Sequence, residues 1–126
     1  MISFILIFFS AICNAVMDVC SFHYSTSIFS KFNPQWWNPE ISWRNKYVGG
    51  DPSQGFRKCF FGLLDYPTFL TDAWHFFKSS MICLFCAAIV LYKPVLGPLI
   101  DFVIIGVIWN VAFNVCYNRI FVLKKK

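Results

Sequence analysis

The stretch PLIDFVIIGVIWNVAFNVCYNRIFVL, residues Pro98–Leu123, decides the fold. It holds one acidic residue near its start, Asp101, and one basic residue near its end, Arg119; between them the only amides are three asparagines. A bilayer core takes about 20 mostly apolar residues per helix, and this stretch has 26. Two other stretches read the same way, Ile2–Tyr24 and Thr68–Tyr92. Across the whole chain of 126 residues, 58% are hydrophobic, 21% aromatic and 13% charged, whereas soluble domains carry about 25% charged residues. The pattern predicts an all-α, polytopic membrane protein: a three-transmembrane-helix bundle with a Trp-rich interfacial loop between helices 1 and 2. One membrane domain, 1–126, accounts for the chain. The first span is expected at about 2–24, the loop at 25–67, the second span at about 68–92, the third at about 98–123 and a basic tail at 124–126.

No Lys or Arg precedes Lys31, so the basic start of a secretory signal is missing and the first span is expected to be a retained helix. Five of the six cysteines, Cys13, Cys20, Cys83, Cys86 and Cys116, lie in the apolar stretches, and only Cys59 lies in the loop. This is no disulfide framework. Buried cysteine behaves as a small hydrophobe, and that reading outweighs a metal or redox role for the CxxC spacing at Cys83 and Cys86.

Lys and Arg near membrane ends face the cytoplasm. Lys31, Arg44, Lys46, Arg57 and Lys58 lie in the long loop, and Arg119 with Lys124-Lys125-Lys126 close the chain; the opposite side would hold the N-terminus and Lys93. The expected topology is N-terminus outside, with the long loop and C-terminus cytoplasmic. The net charge of +5 suits anionic head groups. The loop holds Trp36, Trp37 and Trp43 among amides and bases, followed by turn residues from Gly49 to Gly55. Such a segment suits an aromatic belt and equally a contact with a phosphate or carbohydrate. The short apolar run Cys59–Leu64 is expected to dip into the interface.

Polar residues inside the apolar stretches are the informative feature. Ser10, Asn14, Asp18, Ser21 and Ser25 fall within an arc of about 80° at 100° per residue. Asn110, Asn114 and Asn118 do the same in the third span, and Asp72, His75 and Ser79 share a face of the second, with Cys83 and Cys86 extending it. A carboxylate at the bilayer centre costs about 2.5 kcal/mol or more. The three rows are therefore expected to face one another or a wet cavity, converging on the cytoplasmic half under the Trp-rich loop. His23 lies off the first row, and Asp101 lies opposite the asparagines, where it suits the helix dipole and is expected to be structural.

Asp18, Asp72 and His75 are the chemically capable members. As a trio they are candidate ligands for a divalent metal such as zinc and candidate acid–base catalysts, since burial and like charge raise a carboxylate pKa. Asn14, Asn110, Asn114, Asn118, Trp43, Arg44 and Lys46 are the candidate ligand-binding residues, Trp36 and Trp37 completing the lid. The expected ligand is a lipid-like or phosphorylated amphiphile, which the site would bind or modify. The alternative is a non-enzymatic scaffold or small subunit whose polar rows join helices. Membrane lipids are the expected partners, together with a second copy or a partner membrane protein. Nucleic acid is not expected, because the bases are few and lie close to the membrane. There is also no phosphate-cradling glycine loop, nucleophile elbow or zinc helix.

The blocks Asn14–Asp18, Asn38–Tyr47 and Thr71–His75 resemble those of a group of small bacterial or phage-borne integral membrane proteins. The resemblance implies membrane residence and no particular activity. The glutamate-rich site of the small three-helix diacylglycerol kinases is missing.

Overall fold

The computed structural model describes residues 1–123; the tail Lys124–Lys126 lies outside the described residues. The chain is mostly helical, and among the described residues three helices are long and apolar enough to cross a membrane. They are α1 (Ile2–His23), α4 (Ala73–Val90) and α5 (Pro98–Val115). Two one-turn helices, α2 (Pro34–Trp37) and α3 (Pro39–Ser42), lie in the loop. The most apolar 18-residue window has a mean hydropathy of 2.1 within Ile2–Thr26, 1.6 in Ala73–Val90 and 2.0 within Pro98–Phe121. α4, with 18 residues, is about 27 Å long, close to the roughly 30 Å of a hydrocarbon core.

α1 is the central helix and packs against both α4 and α5. Its buried positions are small or slim: Ser3, Ser10, Ala11, Cys13, Ala15, Val16, Val19 and Cys20 among them. These let two neighbours approach closely, as small residues do in membrane bundles. Long aromatic and aliphatic side chains such as Phe8, Phe9, Phe102 and Val103 face outwards. The aromatic core lies at one end. There Phe29 stacks on Trp37 with ring centroids 4.6 Å apart and meets Phe121 at 5.1 Å, over Val16, Val19 and Cys20. α5 continues as a π-helical turn, Cys116–Phe121, and then Val122 pairs with Ser27 while the Leu123 N–H donates to Thr26 O. The loop, the start of α4 and the end of α5 thus share one end of the bundle.

The loop owes its turns to one device used three times. Asn33, Asn38 and Asp51 each precede a proline, and each side chain accepts the N–H two residues on. Proline supplies the first helical φ while the Asx side chain caps the turn. The non-helical part is a short antiparallel hairpin, β1 (Lys58–Cys59) with β2 (Leu64–Asp65). Its tip places Phe60 and Phe61 at φ of 47° and 58°, with both rings exposed.

Two boundaries differ from the sequence expectation. The second long helix starts at Ala73 rather than near residue 68, because Asp72 caps it and Thr68–Leu70 forms a separate 3-10 turn. The third ends its α-helical part at Val115, where the π turn begins. Asp101 is structural, as expected, and does more than face a dipole. Fully buried, it accepts bonds from Tyr92 Oη at 3.0 Å, Val95 N at 2.7 Å and Leu96 N at 3.1 Å. One carboxylate therefore folds the α4–α5 turn onto the first turn of α5.

Candidate functional site

Asp72 is the N-cap of α4. Its Oδ1 accepts the His75 N–H at 2.9 Å, which satisfies one of the unpaired donors of a helix start. Its Oδ2 accepts from Thr71 Oγ1 at 3.1 Å and lies 2.7 Å from His75 Nδ1. Asp72 is 2% exposed, while the His75 ring is partly open. Nδ1–H is held by the carboxylate, so Nε2 is the free nitrogen, an acceptor when the ring is neutral. The sequence reading placed Asp72 and His75 on one helix face. They do meet, through a cap rather than a face.

A cavity of about 180 Å³ adjoins this pair, lined by Ser21 of α1, Pro39, Ser42 and Trp43 of the loop, and Asp72, Trp74 and His75. Trp43, at its wall, is fixed by its Nε1, which donates to Glu40 O at 3.1 Å. Asn45 ties the loop to the cap, donating from Nδ2 to Thr71 O at 2.8 Å and also to Gln35 O. The next loop residue after Trp43 faces a different space. Arg44, with Arg57, Gln35, Asn45 and Tyr47, lines an open polar cleft of about 460 Å³. The Arg57 guanidinium lies 4.6 Å from the Tyr66 ring and donates to Asn45 O. Lys46 lies over Tyr47. At the bottom of the loop, hydrogen bonding from the Ser53 N–H holds the Asp51 carboxyl below the usual carboxylate range.

The remaining candidates are dispersed. α1 stands between α4 and α5, and Asp18 is half-buried on it. Among the described residues no three His, Cys, Asp or Glu side chains come together as a metal site. Asp18 is not grouped with Asp72 and His75, and His75 Nδ1 is engaged by the Asp72 carboxylate, so the residues present do not fit the zinc trio of Asp18, Asp72 and His75. Asn14 is half-buried on α1. Asn110, Asn114 and Asn118 are exposed on the outer face of α5, which corrects the expected convergence of three polar rows. Cys83 and Cys86 are exposed too. Trp36 and Trp37 are anchors rather than lid: they pack on Phe76 and on Phe29 and Phe77. Lys78 lies over the Trp74 ring at 4.9 Å, a cation–aromatic pair.

Thr71, Ser42, Asn45 and Arg57 were not singled out from sequence. Asx-Pro spacing in the loop and the Thr-Asp pair before a helix were the available signals; the 26-residue separation of Asn45 from Thr71 carried none. No protein-family model, characterised protein or solved structure matches the chain.

Proposed function

We propose that this chain is a multi-pass membrane protein that binds the polar head of a lipid-like, phosphorylated amphiphile at the loop end of its bundle. The observation that carries the reading is the cavity beside Asp72–His75 that Trp43 helps to line. Its volume suits a head-group fragment and not a whole lipid. A partly open imidazole whose orientation is set by a buried carboxylate is a preorganised donor or acceptor. Arg44 and Arg57 in the neighbouring cleft supply the positive charge a phosphate needs. Acyl chains would then lie against the apolar helices.

The N-terminus is placed outside and the loop and C-terminus in the cytoplasm, on the distribution of Lys and Arg. The exposed Phe60–Phe61 tip, with Arg57 and Lys58 at its base, suits insertion among head groups. Asp72–His75 also has the form of a general base, so any turnover of the bound amphiphile belongs to His75.

The test uses protein in nanodiscs, titrated with a soluble short-chain phosphatidic acid and followed by tryptophan fluorescence. The expected result is saturable binding, weakened about tenfold or more by His75→Ala and by Arg57→Ala, or about 1.4 kcal/mol. Affinity unchanged in both variants, or no saturable signal, would defeat the reading. A scaffold role is the second reading, favoured by the outward asparagines of α5.

A further inference from the structure

We infer that the outer face of α5 is the surface on which two copies of this chain associate, helix against helix, along Gly106, Asn110, Asn114 and Asn118. The inference rests on the membrane placement proposed above. The core-facing residues of α5, Asp101, Ala112 and Cys116, lie on one side, and Asn114 lies about 180° away. All three asparagines are exposed on that outer side.

They form a ladder. Asn110 Nδ2 donates to Gly106 O at 2.8 Å, Asn114 Nδ2 donates to Asn110 O at 2.8 Å, and Asn118 Nδ2 reaches Asn114 Oδ1 at 3.3 Å. Each amide has two N–H donors and a carbonyl with two lone pairs, so every rung keeps unused donor and acceptor capacity. Hydrocarbon offers nothing to satisfy it. The surface beside the ladder is shaped for a close neighbour. Val103, Val107, Val111 and Val115 are exposed and repeat every four residues, forming a ridge. Gly106 leaves a gap at the head of the asparagine row, where an added Cβ would meet nothing within 4 Å. Rows of spacing four interdigitate between helices that cross at about −40° to −50°.

The occupant is a second copy because a membrane fixes orientation. Two copies inserted alike run parallel, and a two-fold axis along the membrane normal brings each asparagine to its own equivalent at the same depth. An amide is complementary to itself. An unrelated helix would need three polar groups placed independently at three matching depths.

The test measures energy transfer between donor- and acceptor-labelled full chains in liposomes over a range of protein-to-lipid ratios. Flotation with liposomes and resistance to carbonate extraction are scored first, so failure of the membrane reading shows separately, as protein that does not float. In protein that floats, transfer should saturate and fall on dilution with lipid. Asn114→Leu should weaken association about three- to tenfold, and Asn110→Leu/Asn114→Leu/Asn118→Leu should abolish it. These side chains are exposed and their hydrogen bonds run along their own helix and its π-helical continuation, so the variants should keep their fold. Ile89→Ala, exposed on α4, should change nothing. Monomer at every ratio, or transfer indifferent to the triple variant, would overturn the inference by assigning the face to another partner.

Discussion

α1 and α5 each carry a polar row at helical spacing within an apolar span, and the two rows meet different fates. On α1, Ser10 is fully buried and donates to Met81 O of α4 at 3.1 Å. Asn14 and Asp18 are half-buried, and Ser21 and Ser25 emerge at the surface. That row starts inside the bundle and surfaces near the loop. On α5 the row stays outside along its whole length, and its amides bond to their own helix. Equal periodicity thus fixes that a row exists and leaves open which way it faces. The side that packs is the one with the smaller residues. α1 buries small residues towards both neighbours and becomes the centre; α5 buries Ala112 and Cys116, opposite its asparagines.

Several substitutions would break or sharpen this contrast. The largest effect is expected from Asp101→Ala, which strands the Tyr92 hydroxyl and the Val95 and Leu96 N–H groups at once. Its unfolding midpoint in detergent should fall further than that of any other single variant named here, and Asp101→Asn should recover only part of the loss. Next is the pair that states the contrast directly. Ser10→Leu forces a large side chain into a fully packed helix contact and removes a bond to Met81, at a cost of about 2–3 kcal/mol. Asn114→Leu, made on the other row, should leave bundle stability within about 0.5 kcal/mol. Equal losses in the two would mean that α5 is turned differently from the way described. Both are read from unfolding curves in the same detergent.

A smaller effect is expected at the α4 cap. Asp72→Ala removes the acceptor for the His75 N–H and should cost about 1 kcal/mol. Stability lost by Asp72→Ala but kept by His75→Ala would separate the cap from the cavity. Asn45→Ala should cost about 1 kcal/mol through its lost bonds to Thr71 and Gln35. It should also raise hydrogen exchange across the loop while leaving the long helices protected. The smallest effect is expected for Phe61→Ser. The ring is fully exposed, so folding should not change, while quenching of the loop tryptophans by lipid-borne quenchers should decline if the hairpin tip sits among head groups.

Much of the candidate site was legible in parts. Asp72 and His75 stand three apart, and spacing alone brought them together; Trp43 lay close enough in sequence to the loop turns to be expected above them. The partition of Trp43 and Arg44 into two neighbouring cavities was not legible, because it depends on how α3 and the following 3-10 turn rotate the chain. Asp18 was assigned to the same cluster on depth alone. Depth does not specify azimuth, and among the described residues Asp18 joins no cluster with Asp72 and His75.

The sequence by itself determined the three long apolar helices, their order, the polar rows along them and the structural role of Asp101, since hydrophobic length and period 3.6 are local properties of the chain. Which helix stands in the middle, which row faces in, and which aspartate meets which histidine were decided only by tertiary packing. Those outcomes depend on the relative rotation of whole helices, and that rotation follows from the summed fit of many small and large side chains rather than from any single spacing.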